Sequence, residues 1–187
     1  MANEKLTRDV ILLSYKAFGG TVKGKTMLQK RVYFMSVFLG ADLGYEAHYY
    51  GPYSAEVATA NLEMKSLGYL TESVVGSSVD QRGFEMSRYD YCLTDVGSRI
   101  ADKKAAADEV LWQQIQDAAK IVNQAGNLDY MEISIAAKAY YVLKQLNRKA
   151  TIEEIMSMLP KFGWKVSPEE LTKATEFLQR ANLVTHA

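Results

Sequence analysis

Residues 49–70, YYGPYSAEVATANLEMKSLGYL, and residues 91–101, YCLTDVGSRIA, decide the reading of the fold. Tyr45–Tyr50 is rich in aromatics and reads as a short strand, which Gly51-Pro52 terminates. Ser54 then caps a helix, with Glu56 in its first turn complementing the dipole. Val57, Ala60, Met64 and Leu67 fall on one face of it, and Gly68 stands where a left-handed C-terminal residue is wanted. Tyr69–Val75 and Arg88–Leu93 read as two strands around the polar loop GSSVDQRG, and Thr94 caps a further helix reaching Ala101 or beyond. Strand, turn, capped helix, hairpin and capped helix follow one another as in the back half of a winged helix-turn-helix. That order points to recognition, of nucleic acid or of another protein, and away from catalysis.

Upstream, a first helix starts near Asn3–Thr7, buries Leu6, Val10, Leu13 and Ala17, and stops at Gly19-Gly20. Thr26 opens the next helix, with Gln29 three residues on completing a capping box. Leu28, Val32, Met35 and Leu39 form its stripe, widened by Phe34 and Phe38, and Gly40–Gly44 ends it. Downstream, a long helix over 103–125 carries Leu111, Ile115, Ala118, Ala119 and Val122 and closes at Gly126-Asn127. Ile133–Leu146 is helical, and Thr151–Leu159 is a short helix with Thr151 and Glu154 as its capping box. Ser167-Pro168-Glu169-Glu170 opens the last helix. Its face of Leu171, Ala174, Leu178 and Ala181 parallels Val57, Ala60, Met64 and Leu67, and Asn182 stands where Gly68 stood. This tail reads either as a reduced, wingless helix-turn-helix or as capped amphipathic helices with no deeper kinship. The expected fold is mainly α: a winged helix-turn-helix with one β-hairpin over 1–102, and a helical C-terminal extension over 103–187.

The bulk numbers narrow the function classes. The 187 residues are 48% hydrophobic, and 22 Lys plus Arg balance 22 Asp plus Glu. Neutrality argues against a strong non-specific polyanion binder but leaves room for a local basic patch. A single cysteine, Cys92, and two histidines, His48 and His186, exclude a disulfide framework and argue against a zinc centre. Cys92 reads as a buried small hydrophobe. No apolar run is long enough to cross a bilayer, and MANEKLTRD lacks the features of a signal peptide, so a cytoplasmic protein is expected. No nucleophile, base and orienting acid can be assembled, so no catalytic residue, enzyme activity or cofactor is expected.

Residues 19–26, GGTVKGKT, match the letters of a nucleotide-binding P-loop through Gly19, Gly24, Lys25 and Thr26. The context disagrees. That motif follows a buried strand, whereas the residues before Gly19 have helical periodicity and include Lys16. No apolar strand ending in a magnesium-binding Asp follows. Glycines ending one helix and a threonine opening the next account for every letter.

Two surfaces remain. Lys23, Lys25, Lys30 and Arg31, joined by Arg82 and Arg88 of the wing, are candidate phosphate contacts for duplex DNA. The helix at 54–67 would then read the groove, yet its expected exposed positions (Ser54, Glu56, Thr59, Asn61, Glu63, Lys65 and Ser66) hold one Lys against two Glu. The second surface is the crowd of tyrosines at the Gly-Pro turn, where Tyr45, Tyr49, Tyr50 and Tyr53 either pack the core or leave aromatic area for a partner. Tyr49, Tyr50, Tyr53, Thr59 and Glu63 are the candidate protein-partner contacts. The apolar stripe of the 103–125 helix packs either on the winged helix or on a second copy of the chain, which makes it a candidate homodimer contact.

KGKTMLQKRVYF, HYYGPYSAEVATANLEMKSLGYL and YCLTDVGSRIA together resemble the YwgA-like prokaryotic predicted regulators. In Leu28-Gln29-Lys30 and Tyr50-Gly51-Pro52-Tyr53-Ser54 those proteins are similar to the Panacea (SocA-type) antitoxin domain. The resemblance covers about residues 5–102. It implies a winged-helix-like fold and a regulatory role without catalytic residues, and for the Panacea relatives it implies action by direct protein contact. The expected function is a cytoplasmic winged-helix regulator that binds DNA in transcription control. The alternative is a protein-interaction module of antitoxin or adaptor type, and nucleotide binding comes third.

Overall fold

A computed structural model of the chain describes residues 4–79, 85–126 and 128–184. The chain is mainly helical, with a small antiparallel sheet. Helix α1 (Glu4–Ala17) is followed by strand β1 (Thr21–Lys23), helices α2 (Lys25–Leu39) and α3 (Ala55–Ser66), and the hairpin β2 (Leu70–Val79) and β3 (Glu85–Leu93). Helices α4 (Asp95–Ala107), α5 (Glu109–Ala125), α6 (Tyr130–Leu146), α7 (Ile152–Met158) and α8 (Pro168–Arg180) complete it, with a 3-10 turn over Leu159–Phe162. No helix of the described residues is long and apolar enough to cross a membrane.

The sheet order is β1-β3-β2, every pair antiparallel. Val22 of β1 sits opposite Tyr91, and both are buried with Leu70 against the helices. The expected strand at Tyr45–Tyr50 does not form. That segment contributes one antiparallel bridge, Glu46 to Tyr53, which closes a loop on itself. The third strand comes instead from Thr21–Lys23, inside the P-loop letters. Three residues are too few for an alternation pattern to register, so the strand is silent in the sequence.

Two hydrophobic cores share α2 and α5. Leu28, Val32 and Met35 of α2 join the core made with α1, α3, the sheet and α4, whereas Tyr33 and Phe34 face the core built by α6, α7 and α8. Helix α5 likewise gives Ile115, Ala118 and Ala119 to the first and Val122 and Ala125 to the second. Leu171, Ala174, Leu178 and Ala181 of the last helix are all buried, and Asn182 adopts the left-handed φ of 56° that Gly68 adopts at 72°.

Local chemistry explains where boundaries differ from expectation. The helix expected over 103–125 breaks at Asp108, whose side chain accepts from Leu111 N at 2.9 Å and caps a new helix. Helix α2 begins at Lys25 with Gly24 at the N-cap, so there is no side chain to cap it; Thr26 lies inside the first turn and the expected Thr26–Gln29 capping box does not form. Leu67 is 60% exposed, since it lies at the C-cap beyond the helical face. Asn61, expected outside, is buried and accepts a 2.8 Å bond from the Tyr15 hydroxyl. Cys92, expected inside, is half-buried, with its Sγ 3.4 Å from Thr21 Oγ1. Thr94 does cap α4, accepting from Gly97 N at 2.9 Å, and it donates to Gly68 O at 2.7 Å. Gly97 permits that approach: a Cβ there would lie 2.1 Å from Tyr69 O.

Candidate functional site

The loop His48–Ser54 is held by its own backbone. The His48 carbonyl accepts from Trp164 Nε1 at 2.6 Å and from Gly51 N at 2.8 Å. The Tyr50 carbonyl accepts from the Ser134 hydroxyl of α6. The Pro52 carbonyl accepts from Lys30 Nζ at 2.6 Å. Gln29 closes the far end in both directions, its Nε2 donating to Ser54 O and its Oε1 accepting from Ser54 N, each at 3.0 Å. Tyr45 OH donates to the backbone carbonyl of Gln29 at 2.8 Å, and Ser54 Oγ accepts from Val57 N at 3.1 Å to cap α3. Buried backbone groups that lie outside a helix or sheet must find such partners, and α2 and α6 supply them here.

Fixing the backbone turns two side chains outward. Tyr49 is 72% and Tyr50 52% exposed, and their rings meet edge to face with centroids 4.8 Å apart. Tyr53 is half-buried and packs its ring 4.9 Å from that of His48. Tyr45 points inward to Tyr33, with ring centroids 5.0 Å apart. The tyrosines therefore divide: Tyr45 builds the core, while Tyr49 and Tyr50 face solvent.

The candidate phosphate contacts do not form one exposed patch. Lys30 is 2% exposed and lies inside, under the turn, so it has no surface for a phosphate to touch. This corrects the expectation from the sequence. The cause is helical spacing: Lys30, Tyr33, Phe34 and Val37 share the face of α2 that turns toward α6. Burial, with Lys138 nearby, lowers the Lys30 ammonium to about 7. Arg31 stacks over the Phe18 ring at 4.6 Å, and burial lowers its pKa as well. Lys25 is exposed and lies over the Tyr89 ring at 4.4 Å. Arg88 is held by both oxygens of Asp90, at 3.1 and 3.2 Å. Lys23 is exposed. Arg82 lies outside the described residues.

The outward face of α3 carries Ala55, Thr59, Leu62, Glu63 and Ser66. Ser54 and Asn61, expected there, are buried; Leu62, not expected there, is 57% exposed. Glu63 faces Arg8 at 3.4 Å, and Lys65 is paired with Glu72 at 2.8 Å. The P-loop letters fold as the turn after α1, β1 and the start of α2, so a helix and not a strand leads into Gly19. Among the described residues no group of His, Cys, Asp and Glu could hold a metal ion.

Two open grooves lie elsewhere. One of about 370 Å³ lies between α1, α3 and α4 over Leu12, Met64, Leu67 and Ile100. The other, of about 410 Å³, lies between α1 and α5 beside Trp112. Neither brings a nucleophile, a base and an orienting acid together. Ser134, Lys138 and Trp164 complete the turn site and are silent in the sequence, because no local spacing ties them to residues 48–54. No protein-family model matches the chain, and no curated protein matches it.

Proposed function

We propose that this chain is a regulatory protein-interaction module of winged-helix type, docking a protein partner on the Tyr49–Tyr50 turn. The element order α1-β1-α2-α3-β2-β3 and the sheet order β1-β3-β2 support the winged-helix assignment. The observation that carries the function is the pinned backbone beneath two exposed aromatic rings. Large amphipathic side chains on a preorganised backbone give contact area with little ordering entropy left to lose, which is the physics of an interface anchor.

The reading departs from duplex recognition because the outward face of α3 holds no unpaired cation, and phosphates flank a groove on both sides. Exposed Lys23 and Lys25 beside β1 keep DNA as the second reading. A pair of variants separates the two. Native affinity capture is run with the wild type, Tyr49→Ala/Tyr50→Ala and Lys23→Glu/Lys25→Glu, alongside a low-salt mobility shift on duplex DNA. The proposal expects a stoichiometric protein lost only in the tyrosine variant. A duplex shift abolished by the lysine variant, with steep salt dependence, would replace it with the DNA reading.

A further inference from the structure

The tyrosine turn sits on two lysines, neither of which is in an ion pair among the described residues. Lys30 rises from α2 and Lys138 from α6, one turn beyond Ser134, and their stems meet at Gly51. A Cβ built on Gly51 would lie 3.1 Å from Lys138 Cγ, 3.3 Å from Lys30 Cε and 3.4 Å from Ser134 O. The turn therefore lies directly on both side chains, and only a glycine fits there, with φ at +99°.

Buried ammonium groups are ordinarily paired with a carboxylate, since desolvation disfavours the isolated charge. Among the described residues neither Lys30 nor Lys138 forms an ion pair. Lys30 has the Pro52 carbonyl. Lys138 lies 5.9 Å from the Trp164 ring centroid. The acid that acts on Lys138 is Glu170, which is exposed and accepts from Ser167 N at 2.8 Å as part of the α8 cap. Burial lowers the Lys138 pKa despite that acid, and Lys138 in turn lowers that of Lys30. The positive charge under the turn is thus incompletely balanced, and the turn that lies on both lysine stems is the one that carries exposed Tyr49 and Tyr50.

We infer that the turn docks an acidic segment of a partner protein, with a carboxylate seated on half-buried Lys138 and apolar side chains laid on Tyr49 and Tyr50. The inference rests on the reading of this turn as a protein-docking surface and adds the chemistry of the partner. A single carboxylate matches the one half-buried lysine, and bringing it to a partly desolvated site strengthens the pair. A phosphate backbone would need a row of reachable cations, and Lys30 is shut inside.

The test uses the full chain and defined probes. A short peptide alternating Glu with Leu and Phe is titrated into the isotope-labelled protein and followed by amide chemical shifts. Its Gln isostere and its Lys counterpart serve as controls. Lys138→Gln, Tyr49→Ala/Tyr50→Ala and the remote control Lys103→Gln are compared with the wild type, each first shown to keep its unfolding midpoint. The Glu peptide is expected to move the amides of the turn and of Ser134 and Lys138. Its affinity should fall by about ten-fold for the Gln isostere and in Lys138→Gln, and Lys103→Gln should bind like the wild type. Equal binding of Glu and Gln peptides, or unchanged affinity in Lys138→Gln, overturns the acidic-partner inference; loss in the tyrosine variant would still leave the docking surface standing. If no peptide of any charge moves the turn, the inference fails and the docking reading fails with it.

Discussion

Replacing Lys30 by Met should leave a stability deficit that grows with pH. In the wild type the Lys30 ammonium titrates at about 7, against an ordinary value of 10.5, because burial and Lys138 disfavour its charge. Between those two pH values the unfolded chain binds a proton that the folded chain does not. Stability from this group therefore rises with pH through the window, and below the folded value the full desolvation penalty remains. The slope approaches about 1.4 kcal/mol per pH unit, and between pH 7.5 and 9.5 it amounts to about 2.5 kcal/mol. The neutral amine still donates to Pro52 O, so deprotonation keeps the clamp. Lys30→Met has no titrating group there and leaves the carbonyl without its donor, a loss of about 1–3 kcal/mol that is offset at low pH by removal of the buried charge. Buried tyrosines, whose pKa values burial raises, titrate in both proteins and largely drop out of the difference. Urea unfolding of both proteins at several pH values measures it. The stability difference should widen in favour of the wild type by about 2–2.5 kcal/mol from pH 7.5 to 9.5. A difference flat across that range would refute the reasoning, because Lys30 would then be titrating as an exposed lysine.

Other perturbations follow from the same contacts. Gly97→Ala places a methyl 2.1 Å from Tyr69 O, so the α4–hairpin junction must part, with an expected loss of about 3 kcal/mol in thermal or urea unfolding. Gln29→Ala removes both bonds to buried Ser54 and should lower stability by about 2–3 kcal/mol; Gln29→Glu, which keeps the acceptor but buries a carboxylate against the Ser54 carbonyl, should lose at least as much at neutral pH and recover part of the loss as the acid protonates. Tyr49→Ala/Tyr50→Ala should change stability by less than about 1 kcal/mol, since both rings are exposed. A large loss of stability in that double variant would mean that the rings support the fold.

Element type and caps are legible in the sequence because they are local. Ser54, Thr94, Thr151 and Ser167 each accept from the first turn of the helix they precede, and the apolar stripes of α1 and α8 are buried largely as their spacing requires. The expectation of a mainly helical chain with one hairpin holds for the same reason. What the sequence conceals is long-range. Gln29 reads as a capping residue for its own helix, but its amide bonds Ser54, 25 positions away. Lys30 reads as surface charge by residue type, although its place on the Tyr33–Phe34 face of α2 already marks it as interior. Trp164 reaches His48 across 116 positions, and no periodicity encodes that bond. Leu28-Gln29-Lys30 and Tyr50-Gly51-Pro52-Tyr53-Ser54 belong together because one clamps the other.

The central claim is that Tyr50 faces a protein. A photoreactive benzoylphenylalanine placed at position 50, and separately at Lys25, is irradiated in cells that express the chain from its own promoter. A discrete protein adduct at position 50, absent at position 25, is the predicted result. A nucleic-acid adduct at position 25 with none at position 50 would contradict the account.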